Sequence, residues 1–384
     1  MIIGTHQRHT DDREARFVQA EAPPIHRPIF NSLQAGRGVA AVLIVLFHLS
    51  GPHLTTDRTW SYLPFASIFR WGHAGVDLFF VMSGFLIFYI HGHEAGDRAA
   101  IPRYLWKRLR RIYPIYWMVT LVALSAYFAA PGLGDGHERD PLVILSSFLL
   151  VHINSAESVL GVAWTLYHEV LFYALFAVYL YDRMIGALLG SLFVALAAVV
   201  ALFGPLPGIS PFYAAPNHLL FAMGIAAAWI IQEHRCHWPK RLICAGSILL
   251  PAVIWNNLAG HYLSQPFQIL AYGTAASFIL VGLVQLERSG RLRVPAFLVL
   301  VGNASYSIYL THLMSLSVAS KLFGGLHAKS LLAAQSEYIG LVAFAIIVGL
   351  IAYWLVERPV LKWLSREKPS AFPPTHGAEL QNKT

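Results

Sequence analysis

Charge is scarce in this 384-residue chain: 12% of its residues are Asp, Glu, Lys or Arg, about half the roughly 25% of a soluble domain. With 56% hydrophobic residues and a mean hydropathy of +0.54, that shortage excludes a soluble globular protein. Cysteine is scarcer still. Cys236 and Cys244 are the only two, and no disulfide framework can be read from them. Metal-ligand spacing is also missing. His91, His93 and Glu94, and likewise His234, Cys236 and His237, offer ligand types in what read as loops, without placing four donors around one ion, so no metal is expected. No G-x-S-x-G elbow and no Walker-type phosphate loop occurs, which removes the usual support for a hydrolase or an NTPase. No internal repeat or composition shift marks a second folded domain. The first 29 residues are polar, charged and proline-bearing, unlike a cleavable signal peptide.

What the chain has in quantity is apolar runs near 20 residues, enough to cross a hydrocarbon core of about 30 Å. They predict an all-α, polytopic membrane protein of about ten transmembrane helices, at 34–51, 73–91, 113–130, 162–180, 184–204, 215–232, 241–259, 267–286, 296–317 and 337–356. A shorter piece, 141–153, reads as interfacial or re-entrant. Residues 1–29 and 366–384 are expected to be flexible cytoplasmic ends around a transmembrane domain at 30–365. Placing the N-terminus in the cytoplasm leaves only Arg58, Arg70, Arg139, Lys321 and Lys329 outside, of 28 Lys and Arg. That asymmetry orients both termini inward. The +8 net charge is therefore a topology signal. The basic residues are dispersed over loops, so no nucleic-acid partner is expected and the lipid bilayer is.

Against this apolar background the polar residues stand out. Arg37 and His48 lie eleven residues apart in the first span, with small and apolar residues between them. Eleven steps of about 100° come to about 1100°, so both side chains share one helix face, roughly 16 Å apart in height. Charged and titratable groups inside a membrane are costly and mark function. The second span carries F-F-V-M-S-G-F, in which Ser83 and Gly84 serve either close helix packing or substrate contact. R-Y-L-W-K-R-L-R-R-I-Y-P follows, with Arg103, Lys107, Arg108, Arg110 and Arg111. Composition alone reads it as positive-inside anchoring; the sharper reading is a guanidinium clamp for a polyphosphorylated donor such as coenzyme A.

Glu169, in W-T-L-Y-H-E-V-L-F-Y, lies below the outer boundary, where an unpaired carboxylate is expensive. Depth places it level with His48 and permits a His–carboxylate pair, the arrangement of a general base; a structural ion pair is the alternative. His168, turned about 100° from Glu169, reads as packing. In the ninth span N-A-S-Y-S-I-Y-L-T-H-L brings Tyr306, Tyr309 and His312, which line a cavity or join helices by hydrogen bonds. Glu357 and Arg358 close the tenth span and read as boundary anchors.

R-(ten residues)-H, F-F-V-M-S-G-F, K-R-L-R-R-I-Y-P, W-T-L-Y-H-E-V-L-F-Y and S-Y-S-I-Y-L-T-H occur in this order between residues 37 and 312, and together they resemble the acyltransferase 3 family of integral membrane acyltransferases. The resemblance implies transfer of an acyl group, usually acetyl from cytoplasmic acetyl-CoA, to hydroxyls of extracytoplasmic carbohydrates such as lipopolysaccharide, exopolysaccharide or a lipid-linked sugar. Acetyl-CoA would be a substrate, with no permanently bound cofactor. The family's paired basic residue and histidine fall on Arg37 and His48, its basic motif on Arg108 and Arg111, and its acidic motif on Glu169. Lys107 stands where Arg is frequent and lacks the bidentate fork.

The expected catalytic pair is thus His48 with Glu169, the donor site Arg37, Lys107, Arg108 and Arg111, and the candidate pocket lining Ser83, Tyr173, Tyr309 and His312. His48 would deprotonate an acceptor hydroxyl or take up the acyl group itself. Trp60, Tyr62 and Trp71 are candidates for stacking on sugar rings. No appended esterase-like domain is expected, so the chain would act alone or with separate polysaccharide assembly machinery. A transporter or flippase is the rival reading, since polar residues on facing helices also describe a substrate path. Against it stands the lack of a repeat and of paired broken helices.

Overall fold

A computed structural model describes residues 30–50, 65, 68–153, 157–233, 236–259, 263–323 and 330–366, and among them the fold is all-helical, with no strand. Helix α1 spans Asn31–Ser50, and a 3-10 turn at Arg70–His73 leads into α2, Ala74–His91. Then come α3 (Ala100–Ala129), α4 (Pro141–Leu149), α5 (Trp164–Tyr181), α6 (Arg183–Phe203) and α7 (His218–Glu233). Next are α8 (Pro239–Leu258), α9 (Gln265–Arg288), α10 (Ala296–Asn303), α11 (Ser305–Phe323) and α12 (Leu331–Ala352). A π-helical turn, Tyr353–Glu357, runs on into α13, Arg358–Arg366.

Local chemistry sets several of these boundaries. Asp140 accepts the Leu142 and Val143 N–H groups at the start of α4, with Pro141 in the first helical position. Asp182 does the same for Met184 and Ile185 at α6. The start of α1 is capped from another helix: Glu287, near the end of α9, accepts the N–H groups of Asn31 and Ser32 at 2.7 and 2.8 Å. That contact fixes the height of α1, and with it Arg37 and His48.

Every segment expected to span falls on a helix or a helix pair, but the count of ten is not reached. Among the described residues seven helices are long and apolar enough to cross a membrane, eight if α10 and α11, bent by 66°, make one crossing. The shortfall has physical causes. Helix α5 has the length but carries His168 and Glu169, α7 has 16 residues, and the chain breaks between Asn303 and Ser305. The expected span at 113–130 is also longer than its apolar run: α3 begins at Ala100, so the basic motif occupies helix and not loop. At nine residues α4 is too short to cross, as expected of an interfacial piece.

Helices α2 and α7 pack closely through glycine. A Cβ on Gly84 would lie 2.2 Å from the Phe221 carbonyl oxygen, and one on Gly224 would lie 2.0 Å from that of Val81. Gly84 therefore takes the packing role in its motif and leaves Ser83 to face elsewhere. Gly224→Val should force the two backbones apart at a cost of about 3 kcal/mol. A thermal melt of the purified protein should then fall by at least about 5 °C.

Candidate functional site

Helices α1, α2, α3, α5 and α11 enclose a narrow cavity of about 70 Å³. Arg37 reaches it from α1, Phe79 and Ser83 from α2, Arg108 and Arg111 from α3. Thr165, Glu169 and Tyr173 come from α5, and Tyr306 and Tyr309 from α11. Apolar side chains, among them Val76, Phe80, Met82, Leu86, Ile87 and Leu166, complete the wall. Helical spacing accounts for the convergence. Arg108 and Arg111 are three residues apart on α3, and Thr165, Glu169 and Tyr173 follow one another at intervals of four on α5.

The wall is cationic. Arg108 is 8% exposed, and its Nε is buried with no hydrogen-bond partner. Its guanidinium carbon lies 5.8 and 5.9 Å from the ring centres of Tyr104 and Tyr173, faces that favour a cation. Among the described residues, the ion pairs are His91–Glu94, Arg103–Glu94 and His137–Glu138, and none includes a cavity arginine. Three guanidinium groups thus face one carboxylate, Glu169. That carboxylate accepts hydrogen bonds from the Tyr173 hydroxyl and, at 3.2 Å, from Ser83. A site of this charge, with three guanidinium forks on its wall, suits a phosphate-bearing anion.

Seven of the ten site residues expected from the sequence line the cavity: Arg37, Ser83, Arg108, Arg111, Glu169, Tyr173 and Tyr309. Three do not. Lys107, turned about 100° from Arg108 on the same helix, is exposed and off the wall. His48 and His312 stand against each other instead, His312 Nε2 lying 3.2 Å from His48 Nδ1 with the ring centres 4.9 Å apart. The expected pairing of His48 with Glu169 is therefore corrected: the carboxylate is held by Ser83 and Tyr173, and the histidine faces His312. Matching depth along two helices does not fix the direction in which each side chain points. His312 is fully buried and is no part of the lining, yet it adjoins it. Its Nδ1 lies 2.6 Å from the carbonyl of Tyr309, whose hydroxyl bonds to Thr165 and the Val162 carbonyl.

His168 packs as expected, stacked on Phe212 at 4.4 Å and beside His218. Glu357 departs from expectation. The π turn directs it inward, 3% exposed, to accept a 2.6 Å bond from Ser307, while Arg358 lies over the Trp354 ring. His91 departs from its expected loop: it ends α2, is buried, and bonds through Nδ1 to Glu94, which also takes Arg103. Thr165 was not singled out, though it sits a helical interval from Glu169; Tyr306, expected to line a cavity or join helices, lines the wall and donates to the Ile112 carbonyl. Trp60 and Tyr62 lie outside the described residues; Trp71 packs half-buried against α8 and α9. Because Lys107 is solvated and off the wall, Lys107→Ala is expected to change the donor KM by less than about threefold in a transfer assay.

Comparison with known proteins shows the family. Residues 30–356 match the family described as an acyltransferase domain, acyltransferase 3. The exopolysaccharide production protein ExoZ of Rhizobium meliloti is 32% identical over 305 residues, 77% of this chain and 91% of that one. The acyltransferase MdmB of Streptomyces mycarofaciens is 24% identical over 378 residues, covering 89% and 94% of the two chains. Protein 2 in the picA locus of Rhizobium radiobacter is 28% identical over 177 residues, 41% of this chain and 84% of that one. No solved structure matches. The family match across most of the chain, laid over a helical bundle with several apolar spans, shows that this chain belongs to the acyltransferase 3 family and is a multi-pass membrane acyltransferase.

Proposed function

We propose that the protein is an O-acyltransferase of the bacterial inner membrane that carries an acyl group, acetyl in the first instance, from cytoplasmic acyl-CoA to a hydroxyl of an extracytoplasmic polysaccharide. The observation that carries this reading is the cavity with three guanidinium groups, Arg37, Arg108 and Arg111, none of them in an ion pair among the described residues. Coenzyme A is the acyl donor whose phosphates suit such a wall, and its thin pantetheine arm suits a narrow cavity better than a sugar ring would. A similar protein named for exopolysaccharide production supports a polysaccharide acceptor, with lipopolysaccharide or a lipid-linked sugar as related choices. The reading includes ten crossings, α10 with α11 forming one, and both termini in the cytoplasm, as the basic residues favour.

In this reading Arg37, Arg108 and Arg111 hold the donor phosphates. Glu169, fixed by Ser83 and Tyr173, accepts from the amide N–H groups of the arm. The single helix α1 places His48 about 16 Å beyond Arg37, a height comparable to an extended pantetheine arm. His48 takes the hydroxyl proton as the acceptor oxygen attacks the thioester carbonyl. The carbon–sulfur bond breaks, and the proton passes to the leaving thiolate.

The test is direct. Purified protein in lipid nanodiscs, given labelled acetyl-CoA and a panel of surface glycans, should label at least one glycan, and coenzyme A should compete far better than pantetheine, which lacks the phosphates. Absence of transfer to every acceptor, or equal competition by the two thiols, overturns the reading. A transporter would instead move unmodified glycan across a proteoliposome membrane without consuming the thioester.

A further inference from the structure

We infer that His312 is a positioning residue that holds His48 in the one tautomer able to act as a base. This rests on the role proposed above for His48. Its evidence is the pattern of contacts between the two rings, in which the partner of each Nδ1 dictates where the hydrogen sits.

His48 Nδ1 lies 2.9 Å from the carbonyl oxygen of Ile44, and His312 Nδ1 lies 2.6 Å from that of Tyr309. A carbonyl oxygen only accepts, so each Nδ1 must carry a hydrogen. With its hydrogen on Nδ1, neutral His312 has its lone pair on Nε2, the atom 3.2 Å from His48 Nδ1. The His48 Nδ1–H is then shared between two acceptors, the Ile44 carbonyl and the His312 ring, as a three-centre bond. No proton needs adding or removing for all three contacts to be satisfied. The opposite tautomer of His48 would turn a lone pair toward both acceptors at once. Neutral His48 therefore presents its lone pair at Nε2, the nitrogen a base must use.

The surroundings make the arrangement rigid. His312 is fully buried, and it is tethered through the backbone of Tyr309, whose hydroxyl is 2.7 Å from Thr165 Oγ1 and 2.9 Å from the Val162 carbonyl. One end of the relay is thereby fixed to the cavity wall and the other to α1. During transfer the oxygen–acyl carbon bond forms, the carbon–sulfur bond breaks, and the hydroxyl proton rests on His48 Nε2 before reaching the thiolate. While His48 carries both hydrogens, the His312 Nε2 lone pair still faces its Nδ1–H. A second histidine thus takes the orienting part that a carboxylate plays in many His-dependent enzymes.

The variants His312→Gln and His312→Leu separate orientation from packing. The amide oxygen of Gln can occupy the place of Nε2 and accept; Leu fills the space and cannot. In single-turnover transfer, His312→Leu should lower kcat at least about tenfold with the donor KM unchanged, and His312→Gln should restore most of the rate. Nitrogen-15 NMR of histidine-labelled protein should show His48 Nε2 unprotonated in the wild type and in His312→Gln, and mixed tautomers in His312→Leu. An unchanged kcat in His312→Leu, or a hydrogen on His48 Nε2 in the wild type, overturns the inference. If His312→Leu fails to fold, the NMR of wild type and Gln decides alone. If the wild type transfers no acyl group, the proposed function fails, and the tautomer measurement still judges the pairing.

Discussion

His48→Ala is expected to lower acyl transfer by about a thousandfold while leaving acyl-CoA affinity within about threefold of wild type. The separation follows from where the two ends of α1 lie. Arg37 is on the cavity wall among the other guanidinium groups; His48 is not on that wall and meets His312 one turn beyond Tyr309. Truncating it removes the proton acceptor from the transition state without touching the groups that hold the donor, so kcat and kcat/KM should fall together. Isothermal titration with acetyl-CoA and single-turnover labelling of the glycan read the two quantities independently. Arg37→Ala should give the opposite signature, a raised donor KM with a smaller loss of kcat. If His48→Ala keeps more than about a tenth of the wild-type rate, the base is another residue and the relay through His312 has no catalytic object.

Much of this was legible in the sequence, and the parts that were not share a cause. Apolar run length gave the all-helical membrane fold and the short α4. The resemblance put Arg108 with Arg111, and periodicity within one helix turned His168 from the face of Glu169. What periodicity cannot give is the rotation of one helix about its axis relative to the next. His48 and Glu169 were matched by expected depth alone, on helices whose facing sides are set by packing around them, and their hydrogen bonds go to other partners. The actual partner, His312, lies 264 residues away and was read as pocket lining. Lys107 and Arg108 are neighbours in sequence and opposite in fate, one solvated and one buried. Glu357 was taken for an anchor because a π turn, which re-aims the last side chains of a helix, leaves little trace in composition. Length and hydropathy leave the count of ten unconfirmed where chemistry intrudes: α5 loses apolar character through His168 and Glu169, the latter on the cavity wall.

Arg108 carries the second large effect, and its sign differs between stability and function. A guanidinium 8% exposed, with Nε unpartnered and no carboxylate among the described residues in ion-pair contact, is a cost to the fold in the absence of donor. The faces of Tyr104 and Tyr173 recover only part of it, on the order of 1–2 kcal/mol. Methionine matches the length, tolerates an irregular apolar niche and needs no partner. Arg108→Met should therefore melt at the same temperature as wild type or higher. Donor binding should weaken by about 3 kcal/mol, roughly a hundredfold in Kd, through loss of charge-assisted bonds to phosphate. Arg108→Lys keeps the charge and loses the fork, so its affinity should fall between the two. Saturating acetyl-CoA should raise the melting temperature of wild type and leave that of Arg108→Met nearly unmoved, because a ligand stabilises only in proportion to its occupancy. A structural arginine would behave the other way, with Arg108→Met unstable and its donor affinity intact. The buried charge is tolerated because the donor, when present, supplies the missing counter-ion.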